Sequence, residues 1–150
     1  LLISDTAYFV YIGQAWGGMT PKHVEFHVTA GGTGTQTAEV GLFESTTPPN
    51  KSGQSMVKLV ATGTVDDLTT TGIKRNTTAF STQIVQGKHL WAGIRIVMVT
   101  TQPTIYNVGE MDDLEGHMMY TSAAGALTAG AGVWTGVLGL QVPDLRVTLD

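Results

Sequence analysis

The sequence contains no cysteine in its 150 residues. This absence excludes disulfides, thiolate metal sites, iron–sulfur clusters and cysteine nucleophiles. Charged side chains are also scarce, at 13% of the chain, where soluble proteins average about 25%. The formal net charge of −4 argues against a nucleic-acid-binding protein, which normally carries a basic patch. We therefore expect no thiolate centre and no nucleic-acid partner.

Long hydrophobic runs and catalytic motifs are missing as well. The longest apolar stretch lies near Leu90–Val99, is interrupted by Arg95, and falls far short of the ~18 residues of a membrane-spanning helix. No G-x-S-x-G nucleophile elbow is present, and the glycines of Gly31–Gly34 lack both the spacing and the lysine of a phosphate-binding loop. We predict a protein that is not an enzyme, needs no cofactor and does not enter a membrane.

Threonine and glycine supply what the charged residues do not. The chain has 23 threonines and 19 glycines, whereas the good helix formers Glu, Lys and Arg are few. Threonine is β-branched, so it suits the pleated surface of a sheet and disfavours helices, and its hydroxyl keeps a strand face polar without charge. The composition predicts an all-β fold.

Alternation of apolar and polar residues locates the strands. The clearest are Thr6–Ile12, His23–Val28, Thr35–Glu44, Met56–Val65 and Lys88–Val99. The short glycine-rich loop between the second and third predicts that these two strands pair as an antiparallel hairpin. Lys88–Val99 is apolar on both faces except at Arg95, which is typical of a central strand that is covered on each side.

The whole chain, residues 1–150, is expected to form one domain. Eight or nine strands at spacings of roughly 10–18 residues indicate a single antiparallel β-sandwich with a jelly-roll-like arrangement.

Two groups of residues have the chemistry of metal ligands. His23, Glu25 and His27 share one strand face, and imidazole with carboxylate suits zinc or nickel if His89 or His117 adds a fourth ligand. The favoured interpretation is a polar strand face exposed to water or to another subunit. The carboxylates between Glu110 and Glu115 suit calcium, but without EF-hand spacing a solvated acidic loop is favoured. We therefore assign no metal site.

Three aromatic residues beside flexible segments are candidate contacts for a protein partner or a glycan. They are Trp16, Tyr106 and Trp134. The competing interpretation, which the sequence favours, is that each ring closes an end of the sandwich as a buried lid. Trp91, within the apolar central run, is expected to lie in the core. Asn76-Thr77-Thr78 and Asn50-Lys51-Ser52 match the glycosylation triplet, which often arises by chance.

Four segments follow one another in an order that is typical of a known group of proteins: TAYFVYIG, VEFHVT, AEVGLFES with the proline-rich loop after it, and GKHLWAGIR. In this order the chain resembles the jelly-roll or β-sandwich modules of structural proteins on the outside of tailed bacteriophages. Those modules serve as capsid decoration (cement) proteins, head fibres, or parts of tail fibres and baseplates. The resemblance covers mainly Thr6–Val99. Cellular carbohydrate-binding modules share many of the same features, such as strands rich in threonine and glycine.

The resemblance implies a structural protein on the outer surface of a virion. Its partners would be copies of itself, as a homo-oligomer and most simply a trimer, and the major capsid protein or another virion protein. It would bind only the assembled shell, so its binding free energy would add to the stability of that shell. The alternative is a glycan- or receptor-binding module of a tail or head fibre, or a secreted carbohydrate-binding domain.

Overall fold

The computed structural model describes residues 5–49, 58–98, 100–107, 119–122, 127, 135–136 and 142–149. These residues form ten β-strands in two antiparallel sheets, which confirms the predicted all-β fold. The strands are β1 (Ala7–Gln14), β2 (His23–Ala30), β3 (Gln36–Ser45), β4 (Lys58–Val65), β5 (Gly72–Arg75), β6 (His89–Met98), β7 (Thr104–Ile105), β8 (Met119–Ser122), β9 (Thr135–Gly136) and β10 (Arg146–Thr148). The sequence predicted eight or nine strands, and the two-residue β7 is too short to stand out in it.

The larger sheet has six strands in the order β4-β3-β6-β1-β8-β9. The smaller sheet is built around β2, which pairs with β5 along one edge and with β10 and β7 along the other. The inward side chains of both sheets form one buried apolar core, which includes Val24, Phe26 and Val28 of β2, Val40 and Leu42 of β3, and Leu90, Ile94 and Ile96 of β6. The two sheets therefore pack face to face as a sandwich.

The predicted hairpin of β2 and β3 is wrong. β3 pairs with β4 and β6 in the larger sheet, whereas β2 lies at the centre of the smaller one. The alternation in both strands was identified correctly, but alternation only says that a strand has one buried face. The two buried faces meet across the sandwich instead of lying side by side, because the loop between them crosses from one sheet to the other.

The larger sheet is also buried on its outer face, as predicted for its central strand. Phe9 of β1, Phe43 of β3 and Trp91 of β6 form a second apolar cluster there with Leu127. The Phe9 and Phe43 rings meet edge to face at 5.1 Å between centroids. The Trp91 indole is fully buried, and its Nε1–H donates to Ser45 Oγ at 2.9 Å. Trp91 is therefore a core residue, as the sequence predicted.

Two glycines make room for this aromatic cluster. Gly41 and Gly93 lie directly opposite each other on β3 and β6. A Cβ on Gly93 would lie 2.7 Å from Cε2 of Phe43 and 3.1 Å from Cδ1 of Phe9. The rings thus occupy the space that any larger residue at position 93 would need.

Gly93→Ala is expected to lower the free energy of unfolding by about 1–3 kcal/mol, because the added methyl group overpacks the cluster. Phe43→Leu in the same chain removes the ring atom nearest to the new Cβ. The double variant should therefore lose less stability than the sum of the two single variants, by at least about 0.5 kcal/mol. Urea unfolding of the four proteins measures this coupling, and strict additivity would contradict it.

An ion-pair network lies at the same outer face. Arg95 donates to Asp5 through both Nε and a terminal nitrogen, and to Glu39 Oε2 at 3.2 Å. Burial opposes the charge on Arg95, but the hydrogen bonds to Asp5 and Glu39 outweigh it and raise its pKa. Glu39 also accepts from the backbone N–H of Leu127 at 3.4 Å. The exceptional charge in the central run is therefore held by two carboxylates from neighbouring segments.

A tight turn follows β4 and packs against the loop after β2. Asp67 has a φ of 54° and accepts hydrogen bonds from the backbone N–H and hydroxyl of Thr69 and from the hydroxyl of Thr70. These bonds hold the pKa of Asp67 well below its usual range. The turn presents Leu68 to the core, where it is fully buried.

Candidate binding surfaces

The first candidate surface lies at one end of the sandwich and is called the Trp16 end. It consists of Trp16, Met19, Val85 and Leu149. The Trp16 side chain is 84% exposed, and Val85 and Leu149 are 62% and 55% exposed. Trp16 and Leu149 border a recess of about 390 Å³ whose floor includes Ile12, Ala15, Met19 and Leu90. None of the described residues that line this recess is charged.

Local hydrogen bonds hold the loops of the Trp16 end in place. The backbone N–H of Gly87 donates to the carbonyl of Ala15 at 3.0 Å, and that of Ile84 donates to Met19 at 2.7 Å. Trp16 is followed by Gly17, whose φ of 56° lies in the left-handed region that glycine tolerates best. The exposed indole therefore projects from an anchored loop.

The second candidate surface is the outer face of the smaller sheet, called the Tyr106 face. It consists of Glu25 and His27 of β2, Ile73 of β5, Tyr106 and Arg146. The sheet register places Ile73 directly opposite His27, and the His27 ring lies 6.3 Å from the Tyr106 ring. Tyr106 is 49% exposed and Ile73 is 69% exposed. An apolar and aromatic strip thus crosses the sheet.

Charged groups border this strip. Glu25 lies between Arg75 and Arg146 in the sheet register and forms an ion pair with Arg75 at 3.6 Å. Arg146 donates to Asp144 Oδ2 from Nε at 3.1 Å and from a terminal nitrogen at 2.6 Å. The hydrogen bond to Asp144 and its charge raise the pKa of Arg146. Glu25, Asp144 and Arg146 line a recess of about 300 Å³ together with His27 and Ile73.

The aromatic residues singled out in the sequence thus have different positions. Trp16 and Tyr106 are exposed, so the interpretation of these two as buried lids is wrong. They lie on two different surfaces, because Trp16 follows β1 at the end of the sandwich whereas Tyr106 follows β7 beside β2. Trp134 lies outside the described residues. Their roles as partner or glycan contacts stay predictions.

The residues considered as metal ligands have other partners. Nδ1 of His23 lies 3.1 Å from the backbone oxygen of Asn76, Glu25 pairs with Arg75, and His27 lies against Tyr106. Within the described part of the chain, no group of three or more His, Asp or Glu residues is arranged to hold a metal ion. His117 and the acidic cluster of residues 110–115 lie outside that part.

Asn76 has a structural role that its sequence triplet did not indicate. Its side chain is buried, with Oδ1 accepting from the Val24 N–H at 2.9 Å. Its Nδ2 donates to the carbonyls of Lys22 at 3.2 Å and Thr78 at 2.6 Å. The amide nitrogen that a glycan would modify is therefore enclosed, so this triplet is not an acceptor in the folded protein. Asn50 of the second triplet lies outside the described residues.

A third recess runs beside β4. It measures about 490 Å³ and is lined by Glu39, by residues 61–64 of β4 and by residues 77–82. Five of its lining residues are threonines, and nothing in the sequence beyond their abundance indicated this recess. Its wall is fixed by the hydrogen bond from the Thr77 N–H to the Thr64 carbonyl at 3.0 Å.

No protein-family model, no curated protein and no solved structure matches this chain. None of the described residues belongs to a helix with the length and hydropathy that a membrane crossing requires. A function is therefore inferred from the Trp16 end and the Tyr106 face.

Proposed function

We propose that this chain is a non-enzymatic structural protein of a phage virion, a capsid decoration protein that binds the assembled shell through the Trp16 end. The observation that carries the proposal is the exposure of the Trp16 indole beside an uncharged, apolar recess. The virion setting comes from the resemblance of Thr6–Val99 to the surface modules of tailed bacteriophages.

The Trp16 end has the chemistry of a contact between proteins. Tryptophan and methionine are enriched in the cores of interfaces, and tryptophan is among the residues that contribute most to binding. Each square ångström of apolar surface that leaves water contributes about 25 cal/mol. Because none of the described residues around the recess is charged, a partner covers them without removing a charge from water.

Binding of this kind stabilises the assembled shell by mass action. A protein that binds the assembled shell and not its free subunits shifts the equilibrium toward the assembled form. The low content of charged residues favours close packing against the shell and against neighbouring copies for the same reason, since few charges must be desolvated. We further propose a homotrimer, whose mass by light scattering would be three times the 15.9 kDa of one chain.

Trp16→Ser is expected to weaken binding to assembled shells at least about tenfold, because it removes the indole that would fill a pocket of the partner. The free energy of unfolding should change by no more than about 0.5 kcal/mol, since the side chain is exposed. Co-sedimentation with assembled shells and with dissociated capsid subunits measures the binding, and thermal unfolding measures the stability.

Tyr106→Ser is the matched control, because it removes an exposed aromatic ring from the other candidate surface. It should leave shell binding unchanged. The proposal is wrong if the wild-type chain does not bind assembled shells, if it binds dissociated subunits equally well, or if Trp16→Ser binds as tightly as the wild type. Recognition of a glycan, the alternative function, has its supporting observations on the Tyr106 face and not at the Trp16 end.

A further inference from the structure

We propose that the Tyr106 face binds a neutral sugar, with one pyranose ring seated in the recess between His27, Ile73 and Arg146. This site is separate from the Trp16 end, and it is independent of whether the chain decorates a capsid. Three features of the face support the inference: an aromatic platform, planar polar groups fixed at its border, and a balance of charge.

The platform is the strip of Tyr106, His27 and Ile73, in which His27 and Ile73 line the recess and Tyr106 adjoins it, with its ring 6.3 Å from the His27 ring. A pyranose presents C–H groups on its faces and hydroxyl groups around its edge, so it packs a face against an aromatic ring. Tyr106 is held beside β2, because its backbone N–H donates to the His27 carbonyl at 2.8 Å and its carbonyl accepts from the Asp144 N–H at 3.1 Å. The ring is therefore presented on a fixed backbone and loses little freedom on binding.

The border supplies donors and acceptors for hydroxyl groups. Glu25 and Asp144 are carboxylate acceptors whose side chains are only 19% and 16% exposed, and Arg146 is a guanidinium donor that is 69% exposed. Their ion pairs fix the directions of these planar groups before a ligand arrives. Hydroxyl groups both donate and accept, so they match a border that mixes carboxylate and guanidinium.

The size and charge of the recess select the class of ligand. A volume of about 300 Å³ lies at the lower end of the range for small-molecule sites, which favours one sugar ring over a protein surface. Two carboxylates and one arginine line the recess, and Arg75 pairs with Glu25, so the described lining has no excess of positive charge. A phosphate or sulfate group would meet Glu25 and Asp144 as well as Arg146, and a neutral sugar avoids that repulsion.

The test is a glycan array followed by titration with the methyl glycosides of glucose, galactose and mannose, with sulfated glycans as the anionic comparison. We expect binding to a neutral glycan that changes little with salt. Tyr106→Ser should weaken it about tenfold, because the platform is lost, whereas Tyr106→Phe keeps the ring and should bind within about twofold of the wild type. Ile73→Ser removes an exposed apolar side chain from the same platform and should also weaken glycan binding. It replaces Tyr106→Ser as the test if that variant proves unstable.

Trp16→Ser distinguishes this site from the proposed shell contact. It should weaken shell binding and leave glycan binding unchanged, and Tyr106→Ser should do the reverse. An array without binding overturns the inference, and so does binding restricted to sulfated glycans. Glycan binding that is lost in Trp16→Ser but retained in Tyr106→Ser and Ile73→Ser also overturns it, because the sugar would then lie elsewhere.

Discussion

Gly31→Ala is expected to lower the free energy of unfolding by about 3 kcal/mol or more. A Cβ at this position would lie 1.8 Å from the carbonyl oxygen of Thr69 and 2.4 Å from its carbon, so it would overlap with backbone atoms. A flexible side chain can move away from a new methyl group, but backbone in a hydrogen-bonded turn cannot. The loop after β2 and the turn after β4 would have to separate.

That separation would disrupt more than one contact. The Gly32 N–H donates to the carbonyl of Leu68 at 2.9 Å across the same junction, and Leu68 is fully buried between the sheets. Displacing a buried leucine costs about 2–5 kcal/mol, to which the lost hydrogen bond adds. Urea unfolding followed by circular dichroism measures the change.

Gly17→Ala is the matched control for this prediction. Gly17 has a φ of 56°, so alanine is strained there, but a Cβ would meet nothing within 4 Å. The strain of a left-handed alanine costs about 1–2 kcal/mol. A Gly31→Ala variant that is no less stable than Gly17→Ala would show that the two segments can move apart at little cost.

Asn76→Asp has the second large expected effect. The substitution keeps the shape of the side chain and the acceptor for the Val24 N–H, but it replaces the NH₂ donor by an oxygen. That oxygen would face the carbonyls of Lys22 and Thr78, which accept from Nδ2 in the native protein. At pH 7 we expect a loss of about 3–5 kcal/mol, as for a buried charge without a partner.

The pH dependence of this variant has a definite sign. Burial and the two facing carbonyls would raise the pKa of the new carboxyl above its unfolded value of about 3.9. The protonated form is then favoured in the folded state, so the loss is smallest below pH about 4 and grows as the pH rises. Gln86→Glu makes the same amide-to-carboxylate change at an exposed position and should cost no more than about 0.5 kcal/mol. A loss for Asn76→Asp that is independent of pH would contradict this explanation.

The sequence predicted the properties that are local to one strand. β-Branched composition and alternation located β1, β2, β3 and β6. They also predicted that β6 is covered on both faces and that Trp91 is buried. The sequence did not predict which strands pair, since the alternation in β2 and β3 is equally compatible with one sheet or two facing sheets. Register depends on contacts between distant segments, and no local pattern encodes them.

For the candidate surfaces, too, the sequence predicted local properties but not the contacts between distant segments. Trp16 and Tyr106 were singled out from the sequence as candidate contacts, but their exposure depends on what packs around them. The sequence placed Glu25 and His27 on one strand face, and only the pairing with β5 and β10 brings Ile73, Arg75 and Arg146 beside them. Asn76 was considered as a glycosylation site because of its sequence triplet. Its burial and its hydrogen bonds to Val24 and Lys22 depend on segments that are far apart in the chain, so the sequence did not predict them.

The position of β1 in the larger sheet sets the order in which the chain can assemble during synthesis. β1 precedes the other strands of that sheet in the chain, yet its partner β6 begins only at His89 and its partner β8 at Met119. As the chain leaves the ribosome, the apolar side chains of β1, such as Phe9, have no sheet to join until His89–Met98 has emerged. Closing so distant a pair is slow compared with local hairpin formation. Until that segment has been made, the nascent chain exposes an unpaired, aromatic strand that is prone to aggregation.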